Sequence, residues 1–145
     1  MQIDTRTLQY TFHDKPLLIG GKAMEYYGLR QAGADIDFVI SARDYDQLAT
    51  LYPDYTKDLF GDLGVCINEF ELWKCILLFD YAFLSRDALE EADFKVIGLE
   101  KLLFLKTLAI AEPKYEHDVR LIAQKIQAIQ YGKDPRYPAD FFAHT

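Results

Sequence analysis

Asp35 and Asp37 flank a single isoleucine and precede the apolar run Phe38-Val39-Ile40. In an extended segment alternate side chains share a face, so both carboxylates project the same way, about 7 Å apart along the chain. Two carboxylates that close repel each other, and a divalent cation is the commonest group that stabilises such a pair. Upstream, the apolar run Leu17-Leu18-Ile19 ends in Gly20-Gly21. Glycines there permit backbone conformations closed to other residues and let a ligand approach the main chain. If a helix starts at that turn, its first N–H groups and partial positive charge suit an anion, above all a phosphate. Each feature also has a plainer reading. The aspartates could cap a turn and pair with Arg30 or Arg43, and the glycines could simply link a strand to a helix.

The elements that must position these residues are legible in part. Leu17–Ile19 predicts a buried strand, preceded by a turn at Pro16. A helix is expected over about Lys22–Gln31, with Ala23, Tyr26 and Tyr27 on its inner face, ending at Ala32-Gly33-Ala34. Residues 35–41 predict the second strand. Ser41 is an expected N-cap for a helix over Asp44–Leu51, which Pro53 stops. Residues 54–62 suggest a short helix. Residues 65–73 alternate as one strand, with Val65, Ile67, Glu69 and Glu71 on one face and Cys66, Asn68, Phe70 and Leu72 on the other. Two acidic residues at one end of a partly apolar face suggest a strand running out of the core into a cleft. Ile76–Phe79 and Phe94–Ile97 predict short strands, with a helix or turn over 85–92. From Gly98 the chain reads as helical, with Leu99, Leu102, Leu103, Leu105, Leu108 and Ala109 as its apolar face. After Pro113 a last helix is expected over about Tyr115–Tyr131, with Val119, Ile122, Ile126 and Ile129 inward and Gly132 as its C-cap. The tail after Asp134, with its Phe141-Phe142 pair, is expected to pack across the surface.

The 145 residues carry a net charge of −7, and half of them are hydrophobic, which predicts one folded domain with a substantial core. Within it, residues 1–97 would form a sheet-containing part and residues 98–145 a helical part. Residues 1–94 hold 17 acidic and 8 basic side chains, whereas residues 95–136 hold 5 acidic and 8 basic ones. A globally acidic chain binds nucleic acid poorly without a local basic patch. No apolar run is long enough to span a membrane, and residues 1–6 lack a secretory pattern, so a soluble cytoplasmic protein is expected. Cys66 and Cys75 read as reduced thiols. His13, His117 and His144 lack zinc-site spacing. Gly-Gly-Lys-Ala lacks the spacing of a P-loop.

The segment Leu-Leu-Ile-Gly-Gly-Lys-Ala-Met-Glu-Tyr-Tyr-Gly-Leu-Arg, followed by Asp-Ile-Asp-Phe-Val-Ile, resembles the signature of the nucleotidyltransferase superfamily, the polymerase-beta-like fold. Residues 98–109, with Lys114 and Asp118, are similar to the C-terminal helices of small bacterial members, among them the nucleotidyltransferase-like toxins of abortive-infection systems. The resemblance implies an α+β fold, a mixed sheet flanked by helices. It implies a magnesium-dependent transfer of a nucleoside monophosphate from a nucleoside triphosphate to a hydroxyl of tRNA, protein or a small molecule. Asp35 and Asp37 would ligate one or two Mg²⁺ ions, with a third carboxylate from Glu71 or Glu69; the context Phe-Glu-Leu-Trp favours Glu71, although the family's usual residue there is aspartate. Gly20, Gly21 and Lys22 would hold the nucleotide. Lys106 would reach a phosphate, and Asp118 would orient or pair with it. A homodimer or a cognate toxin or antitoxin is the partner this implies. The alternative on the same fold is a non-catalytic nucleotide-binding or antitoxin-like module.

Overall fold

In a computed structural model, which describes residues 1–138 and 140–142, the chain is α+β and forms two compact units, Met1–Ile97 and a second that begins at Gly98. His144 lies outside the described residues.

The first unit is built on a mixed sheet. Its strands are β1 (Leu17–Leu18), β2 (Ile36–Val39), β3 (Thr56–Leu59), β4 (Asp62–Ile67), β5 (Phe70–Trp73), β8 (Leu89–Glu90) and β9 (Lys95–Val96). Their order is β3-β4-β5-β2-β1-β9-β8, and a separate hairpin joins β6 (Cys75–Ile76) to β7 (Phe79–Asp80). Strand β2 runs antiparallel to β1 and parallel to β5. One face carries Leu18, Phe38, Leu72, Val65 and Val96, all fully buried. On that face the Phe38 and Phe70 rings stack at 6.3 Å. The opposite face is buried at Leu17, Val39 and Trp73, then turns polar at Asp37, Glu71 and Cys66.

Helix α1 (Gly20–Tyr26) is shorter than the sequence suggested. It starts at the glycines and ends at Gly28, whose φ of +73° and the bond from the Leu29 N–H to the Met24 carbonyl form a Schellman close. Ala23, Met24 and Tyr27 are buried, Tyr26 only partly, and the Tyr27 hydroxyl donates to the Ile97 carbonyl at 2.8 Å. The expected helix within 54–62 is instead a 3-10 turn, Pro53–Tyr55, followed by β3. The single strand expected over 65–73 is a hairpin of β4 and β5. Phe60 and Gly61 turn β3 into β4 with φ of 55° and 96°, the backbone of a type I′ turn, and Asn68 reverses the chain again at φ 53°. Helix α3 (Tyr81–Leu84) follows β7.

Helix α2 (Ala42–Leu51) is fastened by its first turn. Ser41 caps it, its Oγ accepting from the Asp44 N–H at 3.1 Å and donating to Asp44 Oδ2 at 3.0 Å. The fully buried Asp44 also accepts from the Tyr10 hydroxyl (2.6 Å) and from the N–H groups of His13 (2.9 Å) and Asp14 (3.1 Å). One carboxylate therefore ties the N-terminal segment to the helix.

The second unit holds α4 (Leu99–Leu108) and α5 (Pro113–Gln130). Pro113 opens α5, and Gly132, at φ +67°, follows its C-cap, with the Lys133 N–H bonded to the Ala128 carbonyl. Leu99, Leu102 and Leu105 are buried as expected, as are Ile122 and Ile129. Leu108 is half exposed, and Lys106 takes an inward position instead. In the tail, Tyr137, Phe141 and Phe142 form edge-to-face pairs at 4.8 Å, and Lys125 and Arg136 both bind Asp134. No helix of the described residues is long and apolar enough to cross a membrane.

Removing the Asp44 carboxylate breaks the hydrogen bonds from four donors, Tyr10, His13, Asp14 and Ser41, and a bond to a charged group is worth about 1.5–3 kcal/mol before water replaces it at the exposed donors. Asp44→Ala should therefore lower unfolding free energy by about 3 kcal/mol in urea titrations. Burial alone would raise the Asp44 pKa, but the bonds from His13, Tyr10, Asp14 and Ser41 outweigh it and hold the carboxyl below its ordinary 3.8. A depressed folded value means that the contribution is whole above pH 3.8 and is lost as the pH falls through the folded pKa. The wild type should lose stability over that acid range more steeply than Asp44→Ala.

Candidate functional site

The glycine turn and the first aspartate strand meet directly. Gly20 follows β1 with φ +65°, and a Cβ built on it would stand 2.6 Å from Asp37 Oδ2. The close approach of carboxylate and main chain therefore requires the absence of a side chain. A Cβ on Gly21 would face Arg30, with Nη1 at 3.6 Å, so a guanidinium lies against the second glycine. Lys22, partly buried, makes no ion pair or hydrogen bond with a described residue.

The sheet sets the carboxylates side by side. Asp37 on β2 is the register partner of Glu71 on β5, and Glu71 is the register partner of Cys66 on β4. Register partners share a face about 4.8 Å apart, so Asp37, Glu71 and Cys66 form a row across three strands. All three are partly buried. Asp35 precedes β2, is exposed, and lies outside the strand without a strand partner of its own. Glu69 does not share that row. It sits exposed in the β4–β5 turn, and its carbonyl accepts from the Ile36 N–H at 2.8 Å. The reason is the two-residue turn, which shifts the alternation by one position. Glu71 thereby shares a face with Cys66 rather than with Val65 and Ile67.

Cys66 registers the charges around this row. Burial is the largest influence and pushes its thiol pKa up; the Lys57 ammonium pulls it down, and Glu71, Asp37 and Asp35 push it up again. Sequence pattern alone does not mark Cys66 or Lys57 as site residues, because the hairpin that brings them to this face carries no strong turn signal. Arg30 could be named only as an alternative partner for the aspartates. Cys66 and Cys75 are both free thiols.

Lys106 and Asp118 come together in the second unit. Lys106 Nζ lies 2.9 Å from Asp118 Oδ2, with the two side chains 8% and 3% exposed. The ammonium also stands 4.6 Å from the centre of the Tyr115 ring, whose other neighbour is Lys114 at 4.9 Å. Of the two parts expected of Asp118, orienting or pairing, the geometry displays an ion pair. His117 is exposed.

Among the described residues no group of three or more His, Cys, Asp or Glu side chains converges to hold a metal ion. Asp37 and Glu71 nevertheless offer hard oxygen donors on adjacent strands, suited to magnesium, which keeps several waters and needs only one or two carboxylates. By donor chemistry alone these two residues fit that ion. No family model, curated protein or solved structure matches this chain.

Two outcomes test this geometry. Gly20→Ala should cost about 1–3 kcal/mol in urea unfolding, from the left-handed backbone and the contact with Asp37, whereas Gly33→Ala, with open space around its Cβ, should be close to neutral. Lys106→Met and Asp118→Leu should each cost about 3–5 kcal/mol by leaving one buried charge unpaired, and the double variant should recover much of that loss.

Proposed function

We propose that the first unit binds a nucleoside triphosphate beside Gly20-Gly21 and transfers its nucleoside monophosphate to a hydroxyl acceptor, with Asp37 and Glu71 at the reacting centre. One observation carries the reading: the Gly20 backbone lies against Asp37, and Asp37 lies in register with Glu71. A phosphate-binding turn, a metal-ligating carboxylate and a proton acceptor are thereby consecutive in space. The motif resemblance supports the same assignment.

Each residue then has a defined task. The bare Gly20-Gly21 backbone lets phosphate oxygens approach, and Lys22 and Arg30 supply positive charge beside it. Asp37 and Glu71, with Asp35 nearby, would hold magnesium. When bound, that ion neutralises the triphosphate and the charge that develops on the leaving oxygen. Glu71 takes the proton from the acceptor hydroxyl as its oxygen bonds to the α-phosphorus. The bond from that phosphorus to the oxygen bridging the α- and β-phosphates breaks, and pyrophosphate leaves. Asp35, exposed beside the row, keeps the mouth of the site anionic and steers the metal-complexed rather than the free nucleotide to it.

Lys106 and Asp118 enter this reading as a buried pair that supports the helical unit. The globally acidic chain makes a homodimer or a cognate toxin or antitoxin the kind of partner that would add acceptor-binding surface. The second reading, a nucleotide-binding module without transfer, draws on the exposed position of Asp35 outside the strand.

The test is incubation with magnesium, each labelled nucleoside triphosphate in turn, and total bacterial RNA and protein. The wild type should label one acceptor class and release pyrophosphate. Asp37→Asn, folded by circular dichroism, should lose at least about 100-fold in rate. Undiminished transfer by Asp37→Asn overturns the mechanism. Magnesium-dependent triphosphate binding without transfer by the wild type selects the binding module.

A further inference from the structure

We propose that Lys57 is a positioning residue that holds a phosphate group of the acceptor, at the end of the carboxylate row opposite the glycine turn. The inference rests on the transferase reading for the word acceptor; the phosphate site itself stands on the sheet.

The strand order makes the argument. Gly20 follows β1; Asp37, Glu71 and Cys66 lie on β2, β5 and β4; Lys57 lies on β3, the edge strand. Lys57 is the register partner of Gly64, and Gly64 shares the face of Cys66, two residues further along β4. The lysine therefore stands diagonally beside Cys66 on the face that carries the carboxylates. Gly64 leaves room there only for the Trp73 ring, whose Cε3 lies 2.5 Å from where a Cβ on Gly64 would be. The lysine stem and the indole thus border one strip. The ammonium is exposed and makes no ion pair or hydrogen bond with a described residue, although its charge reaches the Cys66 sulfur. In contrast, Lys95, on the same face at the other side of the sheet, is paired with Glu90 at 3.5 Å.

Three inter-strand spacings separate β2 from β3, about 14 Å in all. The triphosphate occupies the β1 side of Asp37, beside Gly20-Gly21. A substrate reaching Glu71 from the other side must cross Cys66 and Lys57. An exposed, unpaired ammonium beside a row of carboxylates discriminates between neutral and anionic molecules entering from that side. It favours a hydroxyl acceptor that carries a phosphate within reach of its reacting oxygen.

The strip contains its own reporter, the Cys66 thiol. Cys75→Ser removes the second thiol while keeping a hydroxyl for the bonds to Gly61 and Asp62. In that background, iodoacetamide alkylation of Cys66 would be timed with ribose or ribose 5-phosphate present, two polyols that differ by the phosphate. Ribose 5-phosphate should slow alkylation about threefold more than ribose, the order an exposed ion pair supplies. The difference should vanish in Lys57→Met and persist in Lys57→Arg, each rate being referred to the same variant without ligand. Affinity for inorganic triphosphate with magnesium should stay within about twofold in Lys57→Met. Equal protection by the two sugars in the parent, a difference that survives Lys57→Met, or a matching loss of triphosphate affinity would each overturn the assignment. Failure of nucleotidyl transfer with phosphate-dependent protection intact would sink the transferase reading and leave the phosphate site standing.

Discussion

Strand β2 is the constraint on which the first unit depends. It is four residues long, yet it pairs antiparallel with β1 on one side and parallel with β5 on the other. Its apolar residues Ile36, Phe38 and Val39 are buried, so a slip of one position would exchange the faces of Phe38 and Asp37 and turn the carboxylate toward the apolar face. The hydrophobic register therefore fixes the facing of Asp37. Because Ile36 pairs with Phe70 and Phe38 with Leu72, the same register fixes Glu71 beside it. The carboxylate pair is a by-product of core packing in this sense: the residues that cannot move hold the residues that repel.

The same register sets the charges of this face side by side. Two carboxylates in register on neighbouring strands are destabilising unless countercharge stands near them. The cationic groups near the row lie at its two ends, Arg30 against Gly21 and Lys57 beside Cys66. The carboxylates Asp37 and Glu71 thus lie between these two cationic groups. The transferase proposal builds on that layout, with a cation between anionic groups on either side.

Legibility in the sequence followed the strength of local signals. The Gly20-Gly21 turn, the strand that carries Asp37, the Ser41 cap and Gly132 after the last helix were readable because each rests on strong local signals. The β3–β4–β5 meander was not. Its reversals use Phe60 and Asn68 in the left-handed region, and a bulky aromatic at φ 55° carries no turn signal. Without that turn, residues 54–62 read as a helix and 65–73 as one strand. The cost fell on the site, because a continuous strand puts Glu69 and Glu71 on one face and the hairpin separates them. Cys66 and Lys57 escaped notice for the same reason: their place on the carboxylate face is a property of pairing rather than of spacing.

The helical unit shows the converse limit. A period of 3.6 marks Leu99, Leu102 and Leu105 as inward, and they are. It also assigns Leu108 inward and treats Lys106 as a break in the pattern, yet Lys106 is buried and Leu108 is half exposed. Asp118 on α5 reverses the order, because a lysine whose charge is met at 2.9 Å and whose ammonium stacks on Tyr115 can occupy a core position that an unpaired one could not. Lys125 repeats the arrangement with Asp134 and the Tyr137 ring. Both pairs join residues from different segments of the unit, so hydropathy along one helix cannot reveal them. A buried pair of this kind adds little net stability over an apolar pair of the same volume, but it penalises any packing that separates its members. Two such pairs, one between α4 and α5 and one between α5 and the tail, specify how the segments of the second unit are arranged more strictly than leucine contacts alone would.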